Sequence, residues 1–282
     1  MARYAYVNGR YVPHAEAAVH IEDRGYQFAD GVYEVVPIFH GIMVDEDPHL
    51  DRLDYSLREL RIERPMSRAA LKLVMRELLR RNGLKDGLLY MQVTRGVAPR
   101  DHKFPKAVKP ALVLTTKNMK PTPAALVEGG VRVISVPDIR WQRCDIKSVS
   151  LLPNILAKQQ AVEAGAFEAW QVDAEGFVTE GTSTNAWIVT KDGVLVTRRA
   201  THDILNGITR QAVIRLTNAV GVSFEERAFS LAEAMTAREA FLTSSSGHVL
   251  PITRIDDTVI GDGKPGEVTK RLRAAYLDYI AA

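Results

Sequence analysis

Cysteine is nearly missing from this sequence, and long apolar runs are missing altogether. The 282 residues include one cysteine, Cys144, so no disulfide can form within the chain, as is usual in a reducing compartment. No apolar run approaches the roughly 20 residues of a membrane-spanning helix, and the N-terminus has no apolar signal core. We therefore expect a soluble cytoplasmic protein that has no membrane partner.

An excess of charge of one sign is also lacking. The 37 Lys and Arg residues are nearly balanced by 34 Asp and Glu residues, and basic pairs such as Arg80-Arg81 are short and scattered, so no nucleic-acid partner is predicted. The seven histidines show neither H-E-x-x-H nor a zinc-type Cys/His spacing, so no metal site is predicted. A G-x-G-x-x-G match at Gly261–Gly266 is not followed by a βαβ unit, which argues against a dinucleotide site.

Apolar residues are abundant and make up 46% of the chain. A chain of this length buries about 75% of its unfolded surface. Two prolines in the polar run at 117–123 would stop both helix and strand, so we place a linker at 119–125. The linker would separate a small N-terminal domain at 1–118 from a larger C-terminal domain at 126–282. Both parts mix strand and helix patterns, which indicates the α+β class.

Turn residues and apolar periodicity predict the individual elements. Asn8-Gly9 predicts a hairpin, and residues 32–39 predict a strand in which Pro37 indicates an edge or a bulge. Asp47 and Pro48 predict the start of a helix. Further strands are expected near 88–94, 111–115, 131–136, 168–172, 177–179, 185–190 and 193–196, and further helices near 67–82, 153–164, 209–220, 231–237 and 266–281.

One lysine is placed where it can be partly removed from water. Lys147 follows the strand-like run at 131–136 and precedes a helical pattern opened by Pro153. Desolvation disfavours an ammonium group, and a neutral lysine amine forms Schiff bases with aldehydes. Taken alone, Lys147 fits an ordinary solvated lysine better. The chemical interpretation therefore depends on signals elsewhere in the chain.

Two segments have features of a phosphate site. Gly207 precedes Ile208 and Thr209 at the start of a predicted helix, where free N–H groups attract a phosphate. Ser244 and Ser245 lie in the hydroxyl-rich run Thr243–Ser246, which can complete such a site. Each segment also fits an ordinary turn.

Three charged residues are placed where they could hold polar atoms of a ligand. Glu180 ends an apolar strand, where its carboxylate could hold a proton on a ring nitrogen. Arg100 and His102 are two residues apart in an extended loop, so both would point to one side and could bind a carboxylate together. The alternatives are a solvated turn residue for Glu180 and a solvated basic loop for the other two.

Together and in this order, the motifs resemble those of the class IV transaminases, which use pyridoxal 5'-phosphate (PLP). The resemblance covers nearly the whole chain. It implies PLP fold type IV, with a small N-terminal α/β domain and a larger, mixed and barrel-like C-terminal domain. It also implies a homodimer in which the loop at 100–102 reaches the neighbouring site. The matching motifs are Glu22–Phe28, Asp30–Val36, Arg52-Leu53, Arg100-x-His102, Arg143–Ser148, Thr179–Gly181, Gly207–Arg210 and Thr243–Ser245.

The resemblance implies a role for each matching residue. Lys147 would form a Schiff base with PLP and move a proton between substrate and cofactor. Glu180 would pair with the pyridine nitrogen and keep it protonated, and Leu205 would pack on the ring. The cofactor phosphate would be bound by Arg52, Gly207, Ile208, Thr209, Ser244 and Ser245, and the substrate α-carboxylate by Tyr33, Arg100 and His102.

The Arg100-x-His102 pair resembles the D-specific members of the family. It implies amino-group transfer from a D-amino acid such as D-alanine to 2-oxoglutarate, giving pyruvate and D-glutamate. Branched-chain L-amino acid transaminases, (R)-amine transaminases and aminodeoxychorismate lyases share Lys147 and Glu180 and stay as alternatives. A non-catalytic PLP-binding module is a further one. Asp101 stands where a small neutral residue is expected and could pair with Arg100.

Overall fold

The chain folds into two compact units. The computed structural model describes residues 3–282. The first unit ends at Lys120 and also takes in Ile146–Ser150, and the second contains Pro121–Asp145 and Leu151–Ala282. Each unit has its own sheet and its own apolar core, and the predicted α+β fold class is confirmed. The finer boundaries at 1–118, 119–125 and 126–282 stay a prediction.

An antiparallel sheet forms the base of the first unit. Asn8 and Gly9 adopt left-handed conformations, with φ of 46° and 95°, and join the first two strands in the expected hairpin. The strands are β1 (Tyr4–Val7), β2 (Arg10–Pro13), β3 (Gly31–Phe39), β4 (Ile42–Met43), β5 (Gly87–Thr94) and β6 (Ala111–Asn118). Their order in the sheet is β2-β1-β6-β5-β3-β4.

Strand β3 has one side that is paired along nearly its whole length and one that is mostly open to other partners. Residues Gly31–Ile38 pair with β5, whereas β4 pairs with only the last two residues of β3. Pro37 accepts a hydrogen bond from Val44 on this second side, where its missing N–H removes no bond to β5. The expectation of an edge strand or a bulge at Pro37 is wrong, because β4 is the edge strand and the pairing of β3 with β5 is regular through Pro37.

Two long helices cover one face of this sheet and form its core. They are α2 (Glu46–Glu59) and α3 (Arg68–Asn82), and the short α1 (Arg24–Phe28) precedes β3. The apolar core joins leucines of α2 and α3 to the alternate inward residues of β3, β5 and β6. The predicted start of α2 at Pro48 is wrong by two residues, because the Asp47 carboxylate binds Lys72 and Arg68 instead of capping the helix.

The second unit contains a larger, mixed sheet with apolar residues on both faces. Its strands are β7 (Val131–Pro137), β8 (Glu168–Val172), β9 (Val178–Gly181), β10 (Asn185–Val189), β11 (Leu195–Thr197), β12 (Phe224–Glu226), β13 (Glu239–Ser244), β14 (His248–Ile255) and β15 (Thr258–Val259). Their order is β12-β11-β10-β13-β14-β7-β8-β9, with β15 beside β14. The helices are α4 (Ala124–Gly129), α5 (Leu152–Glu163), α6 (Ile208–Leu216), α7 (Leu231–Met235) and α8 (Glu267–Ala281).

The glycine-rich segment before α8 has a structural purpose. The Glu239 carboxylate accepts the backbone N–H groups of Val268 and Thr269 at 3.0 and 2.8 Å and so caps the N-terminus of α8. A Cβ atom on Gly266 would lie 1.9 Å from Cδ of Glu239, so only glycine fits there. Across the described residues, no helix combines the length and the apolar character that a membrane crossing requires.

Candidate active site

Lys147 is fixed by its backbone along the open side of β3. Tyr33 donates its N–H to the Lys147 carbonyl at 2.9 Å, and Val149 donates to the Gly31 carbonyl at 3.1 Å. The Lys147 N–H is 3.2 Å from Oγ of the buried Ser56 on α2. These bonds explain why Ile146–Ser150 belongs to the first unit, although it is separated from that unit in sequence.

The Lys147 side chain extends over an aromatic ring. Its Nζ atom lies 4.2 Å from the centroid of the Tyr33 ring, a cation–π distance. Tyr33 in turn stacks on Tyr90, with ring centroids 5.7 Å apart. The first unit therefore brings the predicted Schiff-base lysine together with one of the three predicted carboxylate-binding residues.

Arg52 is held by a buried carboxylate that sequence reasoning did not assign. Glu34 points from β3 toward α2, where its two oxygens accept hydrogen bonds from Nε and Nη2 of Arg52 at 2.8 and 2.9 Å. His49, one turn before Arg52 on α2, places Nδ1 2.7 Å from Oε2 of Glu34. Glu34 is at an inward-facing position of an apolar strand, and this signal could have identified it in the sequence.

The charges of this buried trio are fixed by their mutual contacts. Burial alone would raise the pKa of Glu34, but the Arg52 charge and hydrogen bonds outweigh it and hold that pKa well below its usual range. Burial lowers the pKa of His49, and Glu34 offsets this only in part. His49 is therefore neutral at pH 7 and donates its Nδ1–H to the ionised Glu34.

Glu180 in the second unit is surrounded by hydrogen-bond donors. Nδ2 of Asn185 lies 3.0 Å from its Oε2, and the Leu205 N–H lies 3.1 Å from the same oxygen. Nη1 of Arg140 donates to Oε1. All of these groups are donors, so they orient Glu180 as an acceptor carboxylate. The contact between Glu180 and the predicted Leu205 is thus through the leucine backbone.

Arg140 is a second residue that the sequence did not reveal as part of the site. Asp138 accepts hydrogen bonds from its Nε and Nη2 at 2.9 and 2.7 Å, and Thr179 and the Asp203 carbonyl accept from Nη2. Burial opposes its charge, but Glu180 and Asp138 prevail and raise the pKa of Arg140 above its usual value. No local pattern links Arg140 to a carboxylate so distant in sequence.

The start of α6 has the geometry of an anion site. Gly207 is the N-cap residue, and no side chain caps this helix in the described structure. A Cβ atom on Gly207 would lie 2.1 Å from Oδ1 of Asn185, so glycine is needed here for close packing. Ile208 and Thr209, whose N–H groups the resemblance assigns to phosphate binding, open the helix and are buried.

The hydroxyl-rich turn after β13 is partly occupied by internal bonds. Thr243 Oγ1 accepts the indole N–H of Trp187 at 2.9 Å, and Ser244 Oγ accepts the Gly247 N–H at 2.9 Å. Ser245 is half-buried and, among the described residues, has no hydrogen bond through its hydroxyl. The Ser245 hydroxyl, like that of the exposed Ser246, is therefore able to accept from or donate to a ligand.

The structure does not join Arg100 and His102 to Tyr33. Among the described residues, neither makes a hydrogen bond or ring contact with it, and both are exposed. Instead both lie against Phe28, with Cζ of Arg100 4.5 Å and the His102 ring centroid 5.5 Å from the Phe28 centroid. The Asp101 carboxylate accepts the Lys103 N–H at 3.2 Å and is turned to its own loop.

The sole cysteine is not suited to nucleophilic chemistry. Burial is the main cause that raises the pKa of the Cys144 thiol to about 12. Its Sγ atom contacts the Trp141 carbonyl at 3.1 Å. In the part of the chain that the structure describes, no group of three or more His, Cys, Asp or Glu residues is arranged to hold a metal ion.

Comparison with known proteins identifies the family. The model of the amino-transferase class IV family matches residues 31–255. The chain is 46% identical to a D-alanine aminotransferase of Bacillus licheniformis, over 97% of this chain and 95% of that protein. It is 40% identical to a D-alanine aminotransferase of Staphylococcus haemolyticus, over 98% of this chain and 97% of that protein. This chain therefore belongs to the class IV aminotransferases, as the motifs predicted.

Solved structures extend the comparison to the fold. A branched-chain amino acid aminotransferase with pyridoxamine 5'-phosphate matches with a TM-score of 0.92 at 26% identity, over 99% of this chain and 94% of that chain. The branched-chain aminotransferase of Thermoproteus uzoniensis, with norvaline, matches with a TM-score of 0.87 at 26% identity, over 99% of this chain and 95% of that chain. The three proteins share their fold over nearly their whole length, which confirms the expected fold of the family.

Proposed function

We propose that this class IV aminotransferase transfers the amino group of a D-amino acid, such as D-alanine, to 2-oxoglutarate, with PLP as the cofactor. The observation that carries the substrate class is the full-length similarity to two proteins named D-alanine aminotransferase. The cofactor is supported by the pyridoxamine 5'-phosphate in the structure of a branched-chain relative. The products are pyruvate and D-glutamate when D-alanine is the donor.

The residues present fit a phosphorylated pyridine cofactor. A PLP site needs an amine for covalent attachment, a carboxylate for the ring nitrogen and donors for a dianionic phosphate. Lys147 supplies the amine, Glu180 the carboxylate, and Gly207 the close backbone approach at an uncapped helix start. When bound, PLP supplies an electron sink for the bond that is broken at the substrate Cα.

Each residue of this set has one proposed task. Lys147 holds the cofactor covalently and moves a proton at the substrate Cα. Glu180, oriented by Arg140 and Asn185, keeps a proton on the pyridine nitrogen. Leu205 packs on the ring. The phosphate is bound by Arg52, by the N–H groups that follow Gly207 at Ile208 and Thr209, and by the hydroxyls of Ser244 and Ser245.

The substrates are amino acids and 2-oxo acids, which share a carboxylate. We assign this carboxylate to Tyr33, Arg100 and His102, which offer a phenol, a guanidinium and an imidazole. Lys147 can deliver a proton from one side only, so the position of the carboxylate decides which enantiomer has its α-hydrogen toward Lys147. The relatives named above support the D-enantiomer.

The assembly and location of the enzyme follow the family resemblance. We propose a homodimer, in which the loop at 100–102 contributes to the neighbouring site. The exposure of Arg100 and His102 in the single chain is compatible with this assignment. We also propose a cytoplasmic location, which suits a chain with one cysteine.

A branched-chain L-amino acid transaminase is the second candidate, since both solved structures named above are branched-chain aminotransferases. The 46% identity to a D-alanine aminotransferase outweighs a likeness at 26%. A panel of D- and L-amino donors with 2-oxoglutarate separates the two. We expect D-alanine to be used and L-leucine and L-valine to be used poorly. A preference for the L-amino acids would contradict the proposal.

The cofactor assignment has its own test. Borohydride should reduce the reversible bond between the cofactor and Lys147 in the yellow purified protein to a stable amine, and peptide mass spectrometry should locate the cofactor on Lys147. A label on another lysine, or no label, would contradict the assignment. The Lys147→Ala variant should retain some cofactor through the phosphate contacts but lose turnover.

A further inference from the structure

The loop after β5 is anchored to the rest of the first unit by arginines. The Arg24 N–H donates to the Gly96 carbonyl at 2.9 Å, and Arg24 Nη1 donates to the Asp101 carbonyl at 2.5 Å. Cζ of Arg95 lies 3.6 Å from the ring centroid of Phe104, which follows Arg100 in the loop. The backbone around Arg100 is therefore held on both sides.

The arginines of this region differ in how their N–H groups are used. Arg24 and Arg95 both donate to the Asp30 carboxylate, at 2.8 and 2.7 Å through their Nε atoms. Arg24 also lies over the Phe28 ring, 4.7 Å from its centroid, but its N–H groups are used by Asp30 and the Asp101 carbonyl. Arg100 lies over the same ring and forms no hydrogen bond or ion pair among the described residues. Asp101 forms no ion pair with Arg100 in the described structure, and its carboxylate accepts the Lys103 N–H.

An aromatic ring holds a guanidinium in a way that a carboxylate does not. The ring attracts the cation through its quadrupole and uses none of the five N–H donors. A carboxylate partner would take two of these donors in a bidentate pair and would compete with a bound carboxylate. Phe28 also contacts the His102 ring, so one side chain orients both members of the predicted clamp.

We propose that Phe28 is a positioning residue that sets the affinity of the enzyme for the carboxylate of amino and 2-oxo acids. It acts through Arg100 and His102, whose donors it leaves available. The proposal rests on the function proposed above, in which these two residues bind that carboxylate. Phe28 lies at the C-terminal end of α1, a five-residue helix whose N-terminus is capped by Asp23.

The first test compares steady-state constants of Phe28→Leu and Phe28→Tyr. Leucine keeps an apolar side chain but has no ring, so KM for D-alanine and 2-oxoglutarate should rise about 5-fold while kcat stays within twofold. Tyrosine keeps the ring, so Phe28→Tyr should have the KM and kcat of the wild-type protein. Phe167→Leu is the matched control, because Phe167 is also partly exposed and contacts Lys158 Nζ at 5.0 Å in the other unit. Unchanged KM values in Phe28→Leu would overturn the proposal.

A double-mutant cycle tests whether Phe28 acts through the clamp. In an Arg100→Ala background, Phe28→Leu should raise KM by less than twofold, because the main group that it positions is gone. An equal increase in both backgrounds would show a general structural effect and would also overturn the proposal. If Phe28→Leu does not fold, Phe28→Met takes its place, because it is apolar, flexible and without a ring.

Failure of the proposed function can be told apart from failure of this inference. Wild-type protein without D-amino acid activity would contradict the function alone. The role of Phe28 is then decided by the dissociation constant of 2-oxoglutarate, measured calorimetrically on the cofactor-loaded protein without turnover. A higher dissociation constant in Phe28→Leu, with a wild-type value in Phe28→Tyr, supports the role of Phe28. Equal dissociation constants in Phe28→Leu and wild-type protein overturn it.

Discussion

Glu34 shows how one buried side chain orients another. Arg52 could adopt many conformations on α2, but two hydrogen bonds to a fully buried carboxylate restrict it to one. His49 bonds to the same carboxylate and completes a trio in which the charges of Glu34 and Arg52 balance. Burial of this kind is tolerated because each charge has its partner, and removal of one partner leaves the other unpaired.

The variant Glu34→Gln should therefore be less stable than the wild-type protein and should bind PLP more weakly. It leaves the Arg52 charge buried without its counter-ion, and breaking such a pair costs about 3–5 kcal/mol of unfolding free energy. The dissociation constant of PLP should rise as well, because Arg52 is no longer oriented. Urea unfolding and a PLP titration measure the two effects. Glu77→Gln is the control, since Glu77 pairs with Arg80 and Arg81 on the surface and should change little.

Arg140 orients the Glu180 carboxylate, as Glu34 orients the Arg52 guanidinium. The variant Arg140→Lys keeps a positive charge but loses the planar fork that binds Asp138 and Glu180 together. PLP should still bind, while α-proton abstraction in a single turnover should slow about 10-fold or more, the value of one charge-assisted hydrogen bond. Arg143→Lys, at a half-buried pair with Asp145, serves as control. An unchanged single-turnover rate would exclude the role of Arg140.

At the scale of elements, the position of Lys147 depends on the side of β3 that does not pair with β5. Strand β3 pairs with β5 on one side, and its other side receives the segment Ile146–Ser150. Strand β3 was predicted from its β-branched and aromatic residues, and Lys147 was assigned from the family motif, and both signals are local. Nothing local could show that the segment pairs with a strand more than a hundred residues earlier.

The same limit explains why the shortest elements were missed. Strands such as β5 and helices such as α3 were predicted because their patterns are long and their ends carry clear signals, for example Gly83 at φ 59° after α3. Helix α1 is five residues long and polar, and α4 begins inside the run predicted as a linker. Short elements have too few positions to show a period, so tertiary contacts decide them.

Helix α6 gives a test at this scale. In the variant Gly207→Ala the new Cβ atom would meet Oδ1 of Asn185 at 2.1 Å, so the helix start or Asn185 must shift. We expect the dissociation constant of PLP to rise about 10-fold, which corresponds to the loss of one or two backbone bonds to the phosphate. Gly129→Ala is the matched control, because a Cβ atom there has no neighbour within 4 Å. Equal PLP affinity in both variants would contradict the phosphate assignment of α6.

At the scale of the whole molecule, stability depends on pH through a half-buried histidine. His248 is the first residue of β14, with φ of 59°, and burial, aided by Arg273, lowers its pKa to about 4. The unfolded value is near 6.5. As the pH falls, the unfolded chain is protonated first, so this contribution to stability is complete above pH 6.5 and is lost between 6.5 and 4.

Wild-type protein should accordingly lose about 2 kcal/mol of unfolding free energy between pH 7 and pH 5 through His248 alone. The variant His248→Asn does not titrate, and asparagine tolerates the left-handed conformation. Urea unfolding at both pH values should show a smaller loss in the variant. Equal losses in the two proteins would mean that His248 is not responsible.

The family and the fold followed from ordered motifs, and the same motifs predict the site residues, whereas the contacts that orient those residues did not follow from the sequence. Lys147 and Glu180 were assigned by resemblance, and their surroundings give each a physical basis in hydrogen bonds to Ser56, Asn185 and Leu205. Arg140 and Phe28 required coordinates, since their partners come from other elements.

The substrate claim is tested most directly by the chirality of one product. The cofactor-loaded enzyme is incubated with D-alanine and 2-oxoglutarate, and the glutamate formed is resolved by chiral chromatography. We predict D-glutamate in an amount equal to the pyruvate released, with no L-glutamate. Formation of L-glutamate, or glutamate formation only when L-leucine or L-valine replaces D-alanine, would contradict the D-amino acid assignment.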